Sequence, residues 1–194
     1  MCPVVGPDGL ARPPWATTDP LLQVYYDTEW GMPVRNEAAM FEHVCLQGFQ
    51  VGLSWRLVLQ RRDALRRAFY GFDPDRVARM CSIEHLLDDA SVIRNRRKLG
   101  AVVTNAQATL QLREDDTNLA DLIWSYQPER TPEPRTMQEV PSRSPESEAL
   151  AKELKNRGFT LVGPVNMYAL MESVGIVDTN LVGTWRRGAS GVWV

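Results

Sequence analysis

The 194-residue chain has little with which to build a covalent or metal-centred site: three cysteines, Cys2, Cys45 and Cys81, and two histidines, His43 and His85. The cysteines are odd in number and show no CxxC spacing, which excludes a disulfide framework and points to reduced thiols. No Cys/His cluster has metal-ligand spacing. No apolar run approaches the ~18 residues of a membrane span. The N-terminus, MCPVVGPDGLARPPW, lacks the basic region and apolar run of a signal peptide, so the expected compartment is the cytoplasm and no membrane partner is expected. Strand signals are weak and there is no internal repeat.

Excess charge is also scarce. The net charge is −2, which excludes a histone-like binder, yet the charge is uneven. Residues 1–55 carry −4, residues 56–100 carry +5 and residues 101–194 carry −3. A basic middle within an acidic chain suits a local phosphate-binding patch.

Helical patterns fill most of what remains, and the expected class is all-α in a single domain spanning residues 1–194. Asn36 stands as N-cap before an apolar-periodic stretch that reaches Gly48. The following stretch, GLSWRLVLQRRDALRRAFYGF, places Leu57, Leu59, Leu65 and Phe69 inward and its arginines outward. Asp73–Pro74 and Ser144–Pro145 are cap-and-first-turn pairs, with Gly158 as the stop of the second helix. A short helix, a tight turn at Ala90–Val92 and a longer helix are expected after Ser82, and a last helix between Gly163 and Gly175. The first ~12 residues read as flexible. Residues 127–146, rich in proline and charge, read as an exposed connection.

Three stretches can carry chemistry. RNRRK, Arg94–Lys98, opens a helix directly after the tight turn. A helix N-terminus with basic side chains suits a phosphate, and equally the run is an ordinary solvated face. Six tryptophans include Trp15, Trp30 and Trp55, and with Tyr25 and Tyr26 they could stack on a base or pack a core; Trp30 reads as core. CLQGFQVGLSW, Cys45–Trp55, has two glycines that permit close approach and two amides, Gln47 and Gln50, that either read a ligand or satisfy neighbouring backbone. Ser54 is no nucleophile, since neither the strand nor the glycine of a nucleophile elbow accompanies it.

The blocks DPLLQVYYDTEWGMPV, FEHVCLQGFQVGLSW, VIRNRRKLGAVVTNA and LKNRGFTLVGPVNMYALMESVG together resemble the DNA-3-methyladenine glycosylase I family, in order, from about Trp15 to Gly183. The resemblance implies a helix-hairpin-helix fold. It also implies a monomer acting on double-stranded DNA with an alkylated base, which is extruded into a pocket and released by hydrolysis of its glycosidic bond. It assigns Tyr25 and Trp55 to a base sandwich and Trp15 to the pocket. The turn at Ser91 with Arg94, Arg96, Arg97 and Lys98 would hold the DNA backbone, Ser91 through its backbone N–H. Gln47 stands where the family has a base-reading Glu. As the candidate catalytic position it would read the N6/N7 edge of adenine without that charge, leaving a retuned pocket. Many members clip their ends with zinc. Here the ligand positions read Pro13, Tyr26, Asn180 and Thr184, so neither zinc nor any other cofactor is expected, and packing of Tyr26 and Trp185 with hydrogen bonds from Asn180 should replace the clip. The alternative reading is a non-catalytic DNA-damage-binding protein of the same fold.

Overall fold

The computed structural model describes residues 1–193. Its helices are α1 (Pro20–Thr28), α2 (Glu37–Gln50), α3 (Trp55–Ala68), α4 (Pro74–Val77), α5 (Glu84–Asp88), α6 (Arg96–Glu114), α7 (Leu119–Trp124), α8 (Pro145–Asn156) and α9 (Pro164–Ser173). The all-α expectation therefore holds. The cap signals act as read: the Asn36 side chain accepts from Ala39 N, Asp73 from Asp75 N and Ser144 from Ser147 N. The α1 helix, which the sequence reading passed over, carries the same signature, with Asp19 accepting from Leu21 N and Pro20 in the first turn.

The second helix is the centre of the molecule. Every residue from Met40 to Phe49 is buried, so α2 has no solvent face and packs against α3, α6, α7 and α9. It ends at Gln50. The chain turns at Gly52, with φ of +73°, before Ser54 caps α3. What read as one continuing pattern is two helices meeting at that turn, with Gln47 and Gln50 on one side and Trp55 on the other. Gly48 permits a close approach: a Cβ there would sit 3.4 Å from that of Leu161.

Two expectations for the ends are corrected. Residues 1–12 are an antiparallel hairpin, β1 (Val4–Val5) with β2 (Ala11–Arg12), rather than a flexible arm. The cause is Arg12, whose buried guanidinium grips Asp27 at 2.8 Å through both Nε and Nη2, and Asp8 at 2.6 Å. The 127–146 connection is exposed only in part. Pro134 is buried, its carbonyl accepts from Val182 N, and Met137 N donates to Met1 O.

Candidate active site

A cavity of about 380 Å³ opens where α1, the α2–α3 turn, α9 and the proline-rich connection meet. Aromatic side chains dominate its wall: Trp15, Tyr25, Trp30 and Trp55, with Gln47 and Gln50 from α2 and Glu172 from α9. Trp15 and Tyr25 therefore line one cavity together with Gln47 and Trp55. Trp30 is corrected. It lines the cavity instead of the core, because Tyr26 stacks behind it at 5.8 Å and Trp15 meets its edge at 5.5 Å. Met137 and Val140 close the wall from the connection.

Three polar atoms of this wall are buried without a partner inside the protein: the Tyr25 hydroxyl, Gln47 Oε1 and the Trp55 indole N–H. Buried polar atoms are ordinarily paired, and each orphan costs roughly 1–3 kcal/mol. Three in one cavity form a set of donors and acceptors, the Tyr25 hydroxyl and the Trp55 indole lying close to one another. Burial, with Glu29 adding to it, also pushes the Tyr25 phenol well above its usual range, so its proton is fixed and available to donate. The Tyr25 and Trp55 rings lie 5.4 Å apart at 54°. A base held between two parallel rings needs about 7 Å, twice the ~3.5 Å carbon contact distance. The rings thus meet in this structure, and a sandwich requires Trp55, the first residue of α3, to swing.

Beside this site the hairpin Asp89–Asn95 joins α5 to α6 as expected. The basic run is split. Arg94 and Arg97 are exposed and enter no ion pair among the described residues. Arg96 is exposed but pairs with Glu84. Lys98 is corrected: it points inward, with Nζ donating to Phe49 O at 2.7 Å and Val51 O at 2.5 Å, and so closes the C-terminus of α2. The signal was in the spacing, since Lys98, Val102, Asn105 and Thr109 fall on one buried stripe of α6. Ser91 is corrected as well. Its backbone N–H is taken by Asp89 Oδ1 at 2.8 Å in an Asx turn, and its carbonyl accepts from Arg61 of α3.

The positions that would clip the ends through a metal hold no soft ligand. Tyr26 is buried and donates to Asn180 Oδ1 at 2.7 Å, with Thr184 beside it. Burial pushes the Tyr26 phenol up to about 12, so it stays neutral. Neutral phenol, amide and hydroxyl groups, with Pro13 offering no side-chain donor, do not fit zinc. Trp185 Nε1 donates to Asp27 Oδ1 at 3.2 Å, and Arg186 donates to the carbonyls of Asp27 and Trp30 at 2.7 and 2.9 Å. The C-terminal segment is thereby tied to the end of α1 and to the base of the cavity.

The residue that sequence reasoning missed is Glu172. It resembles a surface acid in ALMES, yet Val165, Ala169 and Glu172 share a helical face at seven- and three-residue spacing, and that face lines the cavities.

Comparison with known proteins agrees with this geometry. The family model for methyladenine glycosylase matches residues 15–187. The chain is 41% identical to DNA-3-methyladenine glycosylase 1 of Escherichia coli (strain K12), over 87% of this chain and 92% of that protein. It is 38% identical to the DNA-3-methyladenine glycosylase of Haemophilus influenzae, over 88% and 94%. Among solved structures, a 3-methyladenine DNA glycosylase I superposes with a TM-score of 0.86 at 38% identity, covering 90% of this chain and 98% of that one. The Staphylococcus aureus 3-methyladenine DNA glycosylase I, solved for its recognition of 3-methyladenine, superposes with 0.84 at 29%, covering 88% and 93%. With its family model spanning the cavity, the hairpin and most of the clasp, the chain belongs to the methyladenine glycosylase family.

Proposed function

We propose that this protein is a DNA glycosylase that hydrolyses the N-glycosidic bond of 3-methyladenine in duplex DNA. The observation that carries this reading is the cavity of aromatic faces with three orphaned polar edges, Tyr25, Gln47 and Trp55. Planar faces stack a base, and unpaired edges read it. Gln47 fits the N6/N7 edge of an extruded adenine, its amide oxygen accepting from N6 and its nitrogen donating to N7. Methylation at N3 makes the nucleotide a cation and weakens its glycosidic bond before any protein acts. The pocket then has to hold the departing base better than the intact nucleotide.

The duplex backbone is held at the hairpin, by Arg94 and Arg97 and by the free N–H groups that open α6. Arg61 links that hairpin to α3, six residues or roughly 9 Å along the helix from Trp55. The reading requires no zinc and one copy of the chain, and it places the protein in the cytoplasm with the DNA. The deciding measurement is single-turnover release of free 3-methyladenine from alkylated duplex DNA. Release above the spontaneous rate is expected. Tight binding of the same DNA without release would replace this reading with that of a damage-binding protein.

A further inference from the structure

We propose that Glu172 supplies the negative charge of the base pocket, in place of the carboxylate that Gln47 lacks, and that its ligand is a cationic purine. This rests on reading the cavity as a base pocket.

Gln47 and Glu172 line the same cavity from different helices, α2 and α9. The Glu172 carboxylate is fixed by one bond, from Thr179 Oγ1 to its Oε1 at 2.6 Å, and it enters no ion pair among the described residues. Arg56, the other charged side chain of this wall, is committed to Asp19 at 2.5 Å. The nearby Tyr25 and Tyr168 hydroxyls do not bond to the carboxylate, both being without partners. An acid set in an aromatic, largely apolar wall and left uncompensated is a liability to folding. It becomes an asset when the ligand itself brings a positive charge, because attraction between charges is stronger in a cavity that excludes water. Burial raises the Glu172 carboxyl to about 7, and a fixed cation beside it would favour the ionised form again. Gln47 and Glu172 thereby divide the work: the amide matches the shape of adenine, and the acid selects the charge that alkylation adds.

The test uses two isosteric ligands at pH 8.5, the fixed cation 3,9-dimethyladeninium and neutral 3-deaza-3,9-dimethyladenine, with binding read by quenching of tryptophan fluorescence. The parent protein is expected to prefer the cation by about tenfold or more. Glu172→Gln should bind both ligands alike, and the double variant Glu172→Gln with Gln47→Glu should regain the preference. Absence of the preference in the parent, or its survival in Glu172→Gln, would overturn the assignment. Release of 3-methyladenine from alkylated DNA is measured in parallel and judges the glycosylase reading separately. A cation preference without release sinks only that reading, and release without the preference sinks only this one.

Discussion

Gln47 is a poor residue for a helix interior that had only to pack. Its Oε1 is buried without a partner, in a helix whose every residue from Met40 to Phe49 is buried. Gln47→Leu is therefore expected to raise stability by about 1–2 kcal/mol, seen as a higher Tm, while base release falls tenfold or more. A variant that loses both stability and activity would show that the amide is satisfied within the fold. Glu172 makes a second prediction, in pH. Its carboxyl titrates at 4.5 when free of its surroundings and at about 7 in the folded protein. The folded state therefore binds the extra proton between those values, and this contribution to stability, full below the lower one, is lost as pH rises through about 7. Buried His43, depressed from 6.5 to about 4, has the opposite slope, since the unfolded chain takes up its proton first as pH falls. Glu172→Gln should match the parent in Tm near pH 4.5 and exceed it by pH 8.5, by up to about 3 kcal/mol. A difference that does not grow with pH would place the carboxylate in water.

At the level of elements, the basic run separates into side chains that face solvent and one that does not. Replacing both Arg94 and Arg97 by alanine should lower the slope of log affinity against log salt by about two and leave Tm unchanged. Lys98→Ala should do the reverse: it strips the buried Phe49 carbonyl and the half-buried Val51 carbonyl at the end of α2 of their donor, lowering stability by roughly 1–3 kcal/mol with the salt slope intact. A salt slope altered by Lys98→Ala would restore that residue to the DNA face. The same contrast shows what a sequence can reveal. Caps at Asn36, Asp73 and Ser144 are local events between residues two or three apart, and they were readable. The pocket residues Trp15, Tyr25, Gln47 and Trp55 were readable through resemblance. For Lys98 and Glu172 the helical spacing was legible, but their partners, like those of the Arg12–Asp27 pair, were not, because the meaning of a charged side chain depends on what packs against it. For these three the partner lies 49, 7 and 15 positions away.

Across the whole molecule, the two chain ends are joined by side chains that offer no soft metal ligand. Two sets of hydrogen bonds lie behind the cavity: Arg12, Trp185 and Arg186 converge on Asp27, and Tyr26 donates to Asn180. Chelation is expected to leave Tm where it was. Asp27→Ala, which leaves Arg12 with Asp8 as its remaining carboxylate and removes the acceptor of Trp185, should lower stability by about 1–3 kcal/mol. Unfolding by chelator together with a tolerant Asp27→Ala would mean that a metal holds the ends after all. The Lys98 tie carries further than stability. It fastens the first turn of α6, next to the Asp89–Asn95 hairpin, to the last turn of α2, which holds Gln47 and Gln50 at the cavity. The grip and the pocket are thus two jaws of a caliper locked at one opening. On the proposed function, a duplex that reaches both does so by bending and turning out its nucleotide. A strand stiffened or shortened next to the lesion would be measured and refused, however well its base fitted.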